Sequence, residues 1–120
     1  ILMLQIDLNA PGTEAWVDFF GYLVPTYKGP VVFSFRTGAL IVPIFIIRNA
    51  DQLHQIIIYP PFDLKITEDK QRDINTNTAQ ITKIVEAMIL KHPEQWWWVH
   101  PRFRRAREIQ TGKRLFPKYP

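Results

Sequence analysis

Residues 29–47 read GPVVFSFRTGALIVPIFII, and this stretch decides the fold class. Gly29-Pro30 predicts the start of a helix, because proline fits the first helical position. Gly38 stands where a C-terminal glycine cap belongs, so the helix is expected to end there. The almost continuously apolar run Leu40–Ile47 then predicts a strand buried on both faces, as in parallel sheets, although Pro43 cannot donate to a sheet ladder.

Three further strands and a loop are predicted on either side of this stretch. The apolar run Leu2–Ile6 precedes a loop that begins at Asp7, and it predicts a buried strand. Ala15–Phe20 is rich in aromatic and β-branched residues and predicts a second strand. Residues 21–29 contain two glycines and a proline, so they are expected to form a loop. Leu53–Tyr59 predicts a strand that pairs with the apolar run before it as a hairpin.

The clearest helical pattern extends from about Asp73 to Lys91. Asp73 or Thr76 is expected to supply the N-cap oxygen, and Pro93 ends the helix. Because strands and helices alternate along the chain, the sequence favours an α/β layer fold. The helix carries a single apolar stripe, formed by Ile81, Ile84, Val85, Met88 and Ile89.

Length and composition fit one domain or part of one. The chain has 120 residues, of which 47% are hydrophobic and none is cysteine, so it can bury a core but has no disulfide or thiolate chemistry. Its longest apolar run, Ala39–Ile47, is far shorter than the roughly 20 residues of a membrane-spanning helix. The chain begins at Ile1 without a signal-peptide pattern, and we interpret it as a piece of a longer protein.

Positive charge is concentrated at the C-terminal end. Residues 102–120 contain seven basic residues and one acid, Glu108, and they follow three consecutive tryptophans at 96–98. Tryptophan favours the headgroup zone of a membrane and arginine pairs with phosphate, so one interpretation is a membrane-binding surface. A nucleic acid can be bound by the same chemistry. The third interpretation is that the tryptophans pack in the core while the arginines are solvated.

None of the three histidines belongs to a catalytic or metal-binding pattern. His54, His92 and His100 have no carboxylate four or five residues downstream, so the sequence offers no local general-base pair. Motifs for zinc, for nucleotide phosphates and for dinucleotides are also absent. Each histidine is therefore expected to be structural or to lie on the surface. Asp7 and Asn9, after a predicted strand, fit either an Asx turn or a functional loop.

Two sets of short motifs occur in a specific order along the chain. The first set comprises DLNAPG from Asp7, VDFFG from Val17, RTGA from Arg36, VPIF from Val42, and Arg48. The second set comprises IVE from Ile84, HPEQW from His92, His100, and RFR from Arg102. Together they resemble the second half of the lipid A (Kdo2-lipid IVA) lauroyl and myristoyl acyltransferases, which belong to the lysophospholipid acyltransferase superfamily.

The resemblance implies a parent enzyme that moves a fatty acyl group from acyl carrier protein to a hydroxyl of a lipid A precursor. It implies an α/β fold, of which this chain is the C-terminal half, a partial acyltransferase-type mixed sheet with flanking helices. The general base of such enzymes is a histidine in a His-x4-Asp/Glu motif, which this sequence lacks. The fragment is therefore expected to be inactive alone, and no catalytic residue, cofactor or metal is assigned to it.

The resemblance also implies the partners and the location of the parent protein. The expected partners are acyl-acyl carrier protein as donor, a lipid A precursor as acceptor, and a membrane surface, with no nucleic acid. The expected location is the cytoplasmic face of the bacterial inner membrane.

Ten residues are assigned a substrate-binding role by the resemblance. Aromatic residues and a glycine near position 20 would approach the acyl or glycolipid channel, a Thr-Gly pair would shape the next turn, and arginines would contact lipid phosphates. The full set is Asp7, Asn9, Phe19, Phe20, Gly21, Thr37, Gly38, Arg48, Arg102 and Arg104.

Two alternative functions remain open at this point. A glycerophospholipid could be the acceptor, or the chain could be a non-enzymatic module that binds anions or membranes through its Trp-Arg tail. Residues 1–107 are expected to form the C-terminal part of the acyltransferase domain, and residues 108–120 a basic, loosely ordered tail. Strands without partners would expose apolar edges, so self-association of the fragment is expected.

Overall fold

The computed structural model describes residues 1–10 and 14–112. Strands and helices are combined in these residues, which confirms the α/β class. The elements are, in chain order, β1 (Ala15–Phe19), β2 (Tyr22–Thr26), α1 (Gly29–Thr37), β3 (Ile44–Arg48), β4 (His54–Ile58), α2 (Lys70–Lys91), a 3-10 helix (Pro93–Gln95) and α3 (Arg104–Thr111).

The strands form two separate antiparallel hairpins, β1–β2 and β3–β4. Strand β2 lies within residues 21–29, so the prediction of a loop there is wrong. A two-residue turn at Phe20-Gly21 joins β1 to β2, with φ values of 52° and 79°. Positive φ at both central residues is the geometry whose twist matches a hairpin. Phenylalanine is an unusual choice for the first of these positions, which is why the sequence did not reveal the turn.

Strand β3 differs from the predicted strand in its start and in its burial. It begins at Ile44, after Pro43, and the residues before it contribute only a single bridge, Ile41 to Phe62, within the described ranges. Its hairpin partner β4 is confirmed. However, Ile46 and Ile56, which face each other in the register, are 64% and 61% exposed. The run is therefore not buried on both faces, and its apolar residues are left open on one face of the hairpin.

The predicted strand at Leu2–Ile6 is also absent. Residues 1–6 have no assigned helix or strand, and Ile1 to Leu4 are exposed. No described strand pairs with this run, so its apolar composition alone did not make it a strand.

Helix α1 forms as predicted, while the start of α2 is corrected. Gly38 adopts a left-handed φ of 70° and donates its backbone N–H to the Ser34 carbonyl at 2.8 Å. Helix α2 begins at Lys70, because Asp69 rather than Asp73 or Thr76 caps it. Asp73 is buried instead, and its carboxylate accepts hydrogen bonds from the Thr67 N–H and hydroxyl at 2.6 and 2.8 Å.

Helix α3 was not expected from the sequence. It covers Arg104–Thr111 and therefore crosses the predicted boundary between the domain and the tail at residue 107. Gly112 follows the helix with a left-handed φ of 64°, and residues 113–120 of the predicted tail lie outside the described residues. Among the helices of the described ranges, none is both long and apolar enough to cross a bilayer.

Two hydrophobic clusters hold the β1–β2 hairpin and the three α-helices together. The first cluster joins the β1–β2 hairpin to the C-terminal end of α2 and to α3; its buried members are Phe19, Val24, Ile89 and Ala106. The second joins α1 to the N-terminal half of α2; its buried members are Val31, Ile74 and Ile81. Trp96 and Phe103 pack against the first cluster, so the residues between α2 and α3 are fixed to the hairpin that carries the Phe-Phe-Gly motif.

Candidate substrate-binding site

The segment Asp7–Asn9 meets residues 96–102, which we call the aromatic-basic strap. The backbone N–H of Asn9 donates to Nε2 of His100 at 2.7 Å, across 91 positions of sequence. The indole N–H of Trp96 donates to Oδ2 of Asp7 at 3.4 Å, a long contact. Two residues of the predicted site are therefore held by side chains from the far end of the chain.

His100 must be neutral in this arrangement. A backbone N–H can only donate, so Nε2 has to present its lone pair and the ring proton lies on Nδ1. Burial lowers the pKa of His100; Arg102 and Arg104 lower it further, and Asp7 opposes them. The imidazole also stacks on Trp97, with ring centroids 5.5 Å apart. Because Nε2 is already occupied, His100 is not poised to take a proton from a substrate hydroxyl.

Arg102 fixes the strap to the β1–β2 hairpin. Its side chain is fully buried, and its guanidinium donates to the Pro25 carbonyl and, at 2.6 Å, to the Thr26 hydroxyl. The guanidinium carbon also lies 5.1 Å from the centroid of the Phe19 ring, a cation–π geometry. Burial lowers the pKa of Arg102 to about 10, so the group stays charged at neutral pH. This position favours a structural role for Arg102.

Phe19 belongs to the core and not to the surface of the site. It is fully buried, and its ring stacks on Phe103 with centroids 5.6 Å apart and meets Trp96 edge-on at 5.8 Å. Such aromatic contacts contribute beyond the area they bury. Phe19 therefore links β1 to the strap and to the start of α3.

Phe20 and Gly21 form the turn at the tip of the hairpin. The Glu86 carboxylate of α2 accepts the backbone N–H of Phe20, which satisfies the donor of a residue held at positive φ. A Cβ added to Gly21 would meet no heavy atom within 4 Å, so its φ of 79° and not a close neighbour requires glycine there.

A charge network borders this turn. Lys83 contacts Glu86 at 2.8 Å and Asp18 of β1 at 2.5 Å. The hydrogen bond from Lys83 lowers the pKa of Asp18, and the same bond raises the pKa of Lys83. The network ties α2 to the hairpin, although the Lys83 and Asp18 side chains are about half exposed and such pairs stabilise little.

Arg48 is exposed, and its backbone is held by the HPEQW motif. The Arg48 N–H donates to Oε1 of Gln95 at 2.7 Å, and Nε2 of Gln95 donates back to the Arg48 carbonyl at 2.9 Å. The side-chain amide thus pairs with the strand as another strand would. Gln95 therefore anchors the β3–β4 hairpin beside the strap.

The remaining predicted site residues lie in two different places. Arg104 is partly buried in the first turn of α3. Thr37 and Gly38 lie at the end of α1, where the Thr37 hydroxyl donates to the Phe33 carbonyl at 2.9 Å. No hydrogen bond of the described residues connects this pair to the strap. Asp7, Asn9 and Phe19 therefore contact the strap, to which Arg102 belongs. Phe20, Gly21, Arg48 and Arg104 lie on elements that adjoin it, while Thr37 and Gly38 lie apart.

Comparison with known proteins identifies the family. The sequence profile of the family described as "Bacterial lipid A biosynthesis acyltransferase" matches residues 3–105. The chain belongs to this family. The matched region contains both the Asp7–Asn9 segment and the strap.

Two relatives illustrate the similarity of this lipid A acyltransferase family member. The lipid A biosynthesis palmitoleoyltransferase of Escherichia coli (strain K12) is 33% identical over 84 residues, which cover 68% of this chain and 25% of that protein. The lipid A biosynthesis lauroyltransferase of the same organism is 32% identical over 96 residues, covering 78% of this chain and 30% of that protein. The chain thus spans less than a third of the length of these curated relatives.

Three residues that organise the site of this family member were not assigned a role from the sequence. Glu86 supports the hairpin turn, Gln95 anchors β3, and His100 holds Asn9. All three lie in the motifs that carry the resemblance, but only Glu86 also had a local signal, as a charged residue beside the apolar stripe of α2, where an acid is expected to have a partner. In the described residues, no group of three histidine, aspartate or glutamate side chains is arranged to hold a metal ion.

Proposed function

We propose that the protein carrying this chain transfers a fatty acyl group from acyl carrier protein to a lipid A precursor of the Kdo2-lipid IVA type. The chain contributes the substrate-binding part of the enzyme. The proposal is supported by the family membership and by the names of the relatives, a lipid A palmitoleoyltransferase and a lipid A lauroyltransferase. The observation that carries it is the joining of the Asp7–Asn9 segment to the aromatic-basic strap by hydrogen bonds.

Binding and chemistry are divided between this chain and the rest of the enzyme in this proposal. A hydroxyl attacks a thioester efficiently only when a base takes its proton during the attack. The histidine of a His-x4-Asp/Glu motif outside these 120 residues supplies that base, since His100 is occupied by Asn9. The chain alone is then inactive, while it positions the acceptor.

Arg48 and Arg104 are the residues that contact the phosphates of the acceptor. The Arg48 side chain is exposed and its backbone is fixed by Gln95, so pairing of its guanidinium with a phosphate requires only the side chain to become ordered. Arg104 is partly exposed at the junction of the strap and α3. Arg102 is omitted from this role because it is fully buried against the β1–β2 hairpin.

The enzyme works at the cytoplasmic face of the inner membrane in this proposal, where both of its substrates are available. The exposed tryptophans of the strap, Trp97 and Trp98, would lie at the headgroup level. The exposed isoleucine face of the β3–β4 hairpin makes the isolated chain prone to self-association.

Alanine replacement of the two arginines tests the proposal in the full-length enzyme. We expect Arg48→Ala and Arg104→Ala each to raise the KM for the lipid A precursor by at least about tenfold, since a hydrogen bond to a charged group contributes roughly 1.5–3 kcal/mol. The KM for the acyl carrier protein thioester should stay the same. Steady-state transfer of a labelled acyl chain measures both constants.

Arg36→Ala is the matched control for these variants. Arg36 is an exposed cation in the last turn of α1, and its removal should leave both constants unchanged. Equal KM values for the precursor in all three variants would contradict the assignment of Arg48 and Arg104.

A further inference from the structure

We infer that His100 is a positioning residue, which as a neutral imidazole holds the Asp7–Asn9 segment in the acceptor site and releases it when protonated. The inference rests on the proposed function only in calling this segment part of the acceptor site. The contact itself is independent of function, because it joins a backbone N–H to a ring nitrogen at 2.7 Å.

The Asp7–Asn9 segment has few other attachments. It belongs to no helix or strand, and the other side-chain hydrogen bond to it, from Trp96 to Asp7, measures 3.4 Å. A bond of that length contributes little. The bond to His100 is therefore the strongest polar attachment of the segment in the described structure.

The attachment also sets the position of the Asn9 side chain. Its side-chain Oδ1 is buried and has no hydrogen-bond partner among the described residues. A buried acceptor without a donor is costly, and such groups in native proteins call for a specific explanation. The bond between the Asn9 backbone and His100 fixes where this acceptor lies. Release of that bond would let Asn9 move and expose Oδ1 to a donor.

The charges around His100 make the attachment sensitive to pH. The negative charge of Asp7, in the N-terminal segment, raises the pKa of His100, and the positive charges of Arg102 in the strap and Arg104 at the start of α3 lower it. Together with burial, the two arginines disfavour the imidazolium and outweigh Asp7. A histidine whose pKa is lowered by folding stabilises the folded contact above its ordinary pKa, near 6.5, and loses that stabilisation as the pH falls through the lowered value.

Hydrogen–deuterium exchange of the full-length enzyme tests this inference without relying on activity. In His100→Phe, which keeps a flat ring but no acceptor, residues 7–10 should exchange about tenfold faster at pH 7.5 than in the wild type. In His100→Gln, whose side-chain oxygen can accept the Asn9 N–H, their exchange should stay close to the wild type. Between pH 7.5 and pH 5, the wild type should lose protection relative to His100→Gln measured at the same pH.

The kinetic counterpart is the KM for the lipid A precursor. In His100→Phe this KM should rise several-fold while kcat changes little. In His100→Gln the KM should be close to that of the wild type at pH 7.5, and it should lack the increase that we expect for the wild type at acid pH. Exchange of α2 reports whether each variant folds, and the comparison of wild type with His100→Gln remains decisive if His100→Phe does not fold.

Equal exchange of residues 7–10 in the wild type, His100→Phe and His100→Gln, or no difference between wild type and His100→Gln at acid pH, would overturn the inference. Changed exchange with no transfer to any lipid A precursor would instead support the attachment and overturn the proposed function.

Discussion

Replacing Arg102 by alanine is expected to lower the free energy of unfolding by about 3 kcal/mol. The side chain is fully buried, so its truncation leaves a cavity that costs roughly 2–5 kcal/mol. The Pro25 carbonyl and the Thr26 hydroxyl lose their donors, and each unsatisfied group costs roughly 1–3 kcal/mol. Burial lowers the pKa of Arg102 to about 10, so removing the charge recovers on the order of 3 kcal/mol. The losses exceed this recovery.

Two other variants separate the effect of the cavity on stability from the effect of removing the charge. Arg102→Met fills most of the space without a charge, and we expect it to lie within about 1.5 kcal/mol of the wild type. Arg105→Ala removes a half-exposed arginine from α3 and should change stability by no more than about 0.5 kcal/mol. Urea denaturation followed by tryptophan fluorescence measures all three. If Arg102→Ala is as stable as Arg105→Ala, the buried guanidinium does not hold the strap to the hairpin.

Glu86→Ala is expected to destabilise the protein by about 2–3 kcal/mol. The change leaves the Phe20 N–H without its acceptor, at a residue whose φ of 52° is already unfavourable for a bulky side chain. Lys83 also loses one of its two carboxylate partners. Loss of a charged acceptor for a partly buried donor accounts for most of the effect. The same urea denaturation measures it.

Glu86→Gln and Glu94→Ala are the controls for this prediction. Glutamine keeps an oxygen for the Phe20 N–H and should recover about half of the loss. Glu94 is an exposed acid in the 3-10 helix after α2, and its removal should change stability by no more than about 0.5 kcal/mol. An alanine variant at position 86 with wild-type stability would show that the Phe20-Gly21 turn does not depend on α2.

The elements predicted correctly are those whose signals come from residues close together in the sequence. The Gly-Pro start and the glycine end of α1, the apolar stripe of α2 and the pairing of β3 with β4 are all found in the structure. Each of these depends on residues close together in the sequence, where capping chemistry and helical periodicity act.

The errors arose where a local pattern was ambiguous. Strand β2 was missed because its turn is Phe20-Gly21, which lacks the usual Asn-Gly signal. The largely apolar runs Leu2–Ile6 and Leu40–Ile47 predicted buried strands, but such runs do not specify their partners. Helix α3 was missed because its polar, arginine-rich sequence resembles a solvated tail.

The candidate site could be predicted only in part, because its contacts join distant residues. The bond between Asn9 and His100 spans 91 positions, and no local rule pairs them. The resemblance assigned a substrate-binding role to Asp7, Asn9 and the arginines, but it did not predict which residues hold them in place. Arg102 was expected to face a lipid phosphate, yet the structure buries it against Pro25 and Thr26, two residues of the strand that the sequence did not reveal.

The most direct test of the account is a competition assay with the full-length, membrane-inserted enzyme. A labelled acyl chain on acyl carrier protein is offered together with equal amounts of a Kdo2-lipid IVA-type precursor and a lysoglycerophospholipid, and the labelled products are separated. The account predicts that the label passes to the lipid A precursor. Transfer to the lysoglycerophospholipid, or no transfer by a folded enzyme with its histidine motif intact, would contradict it.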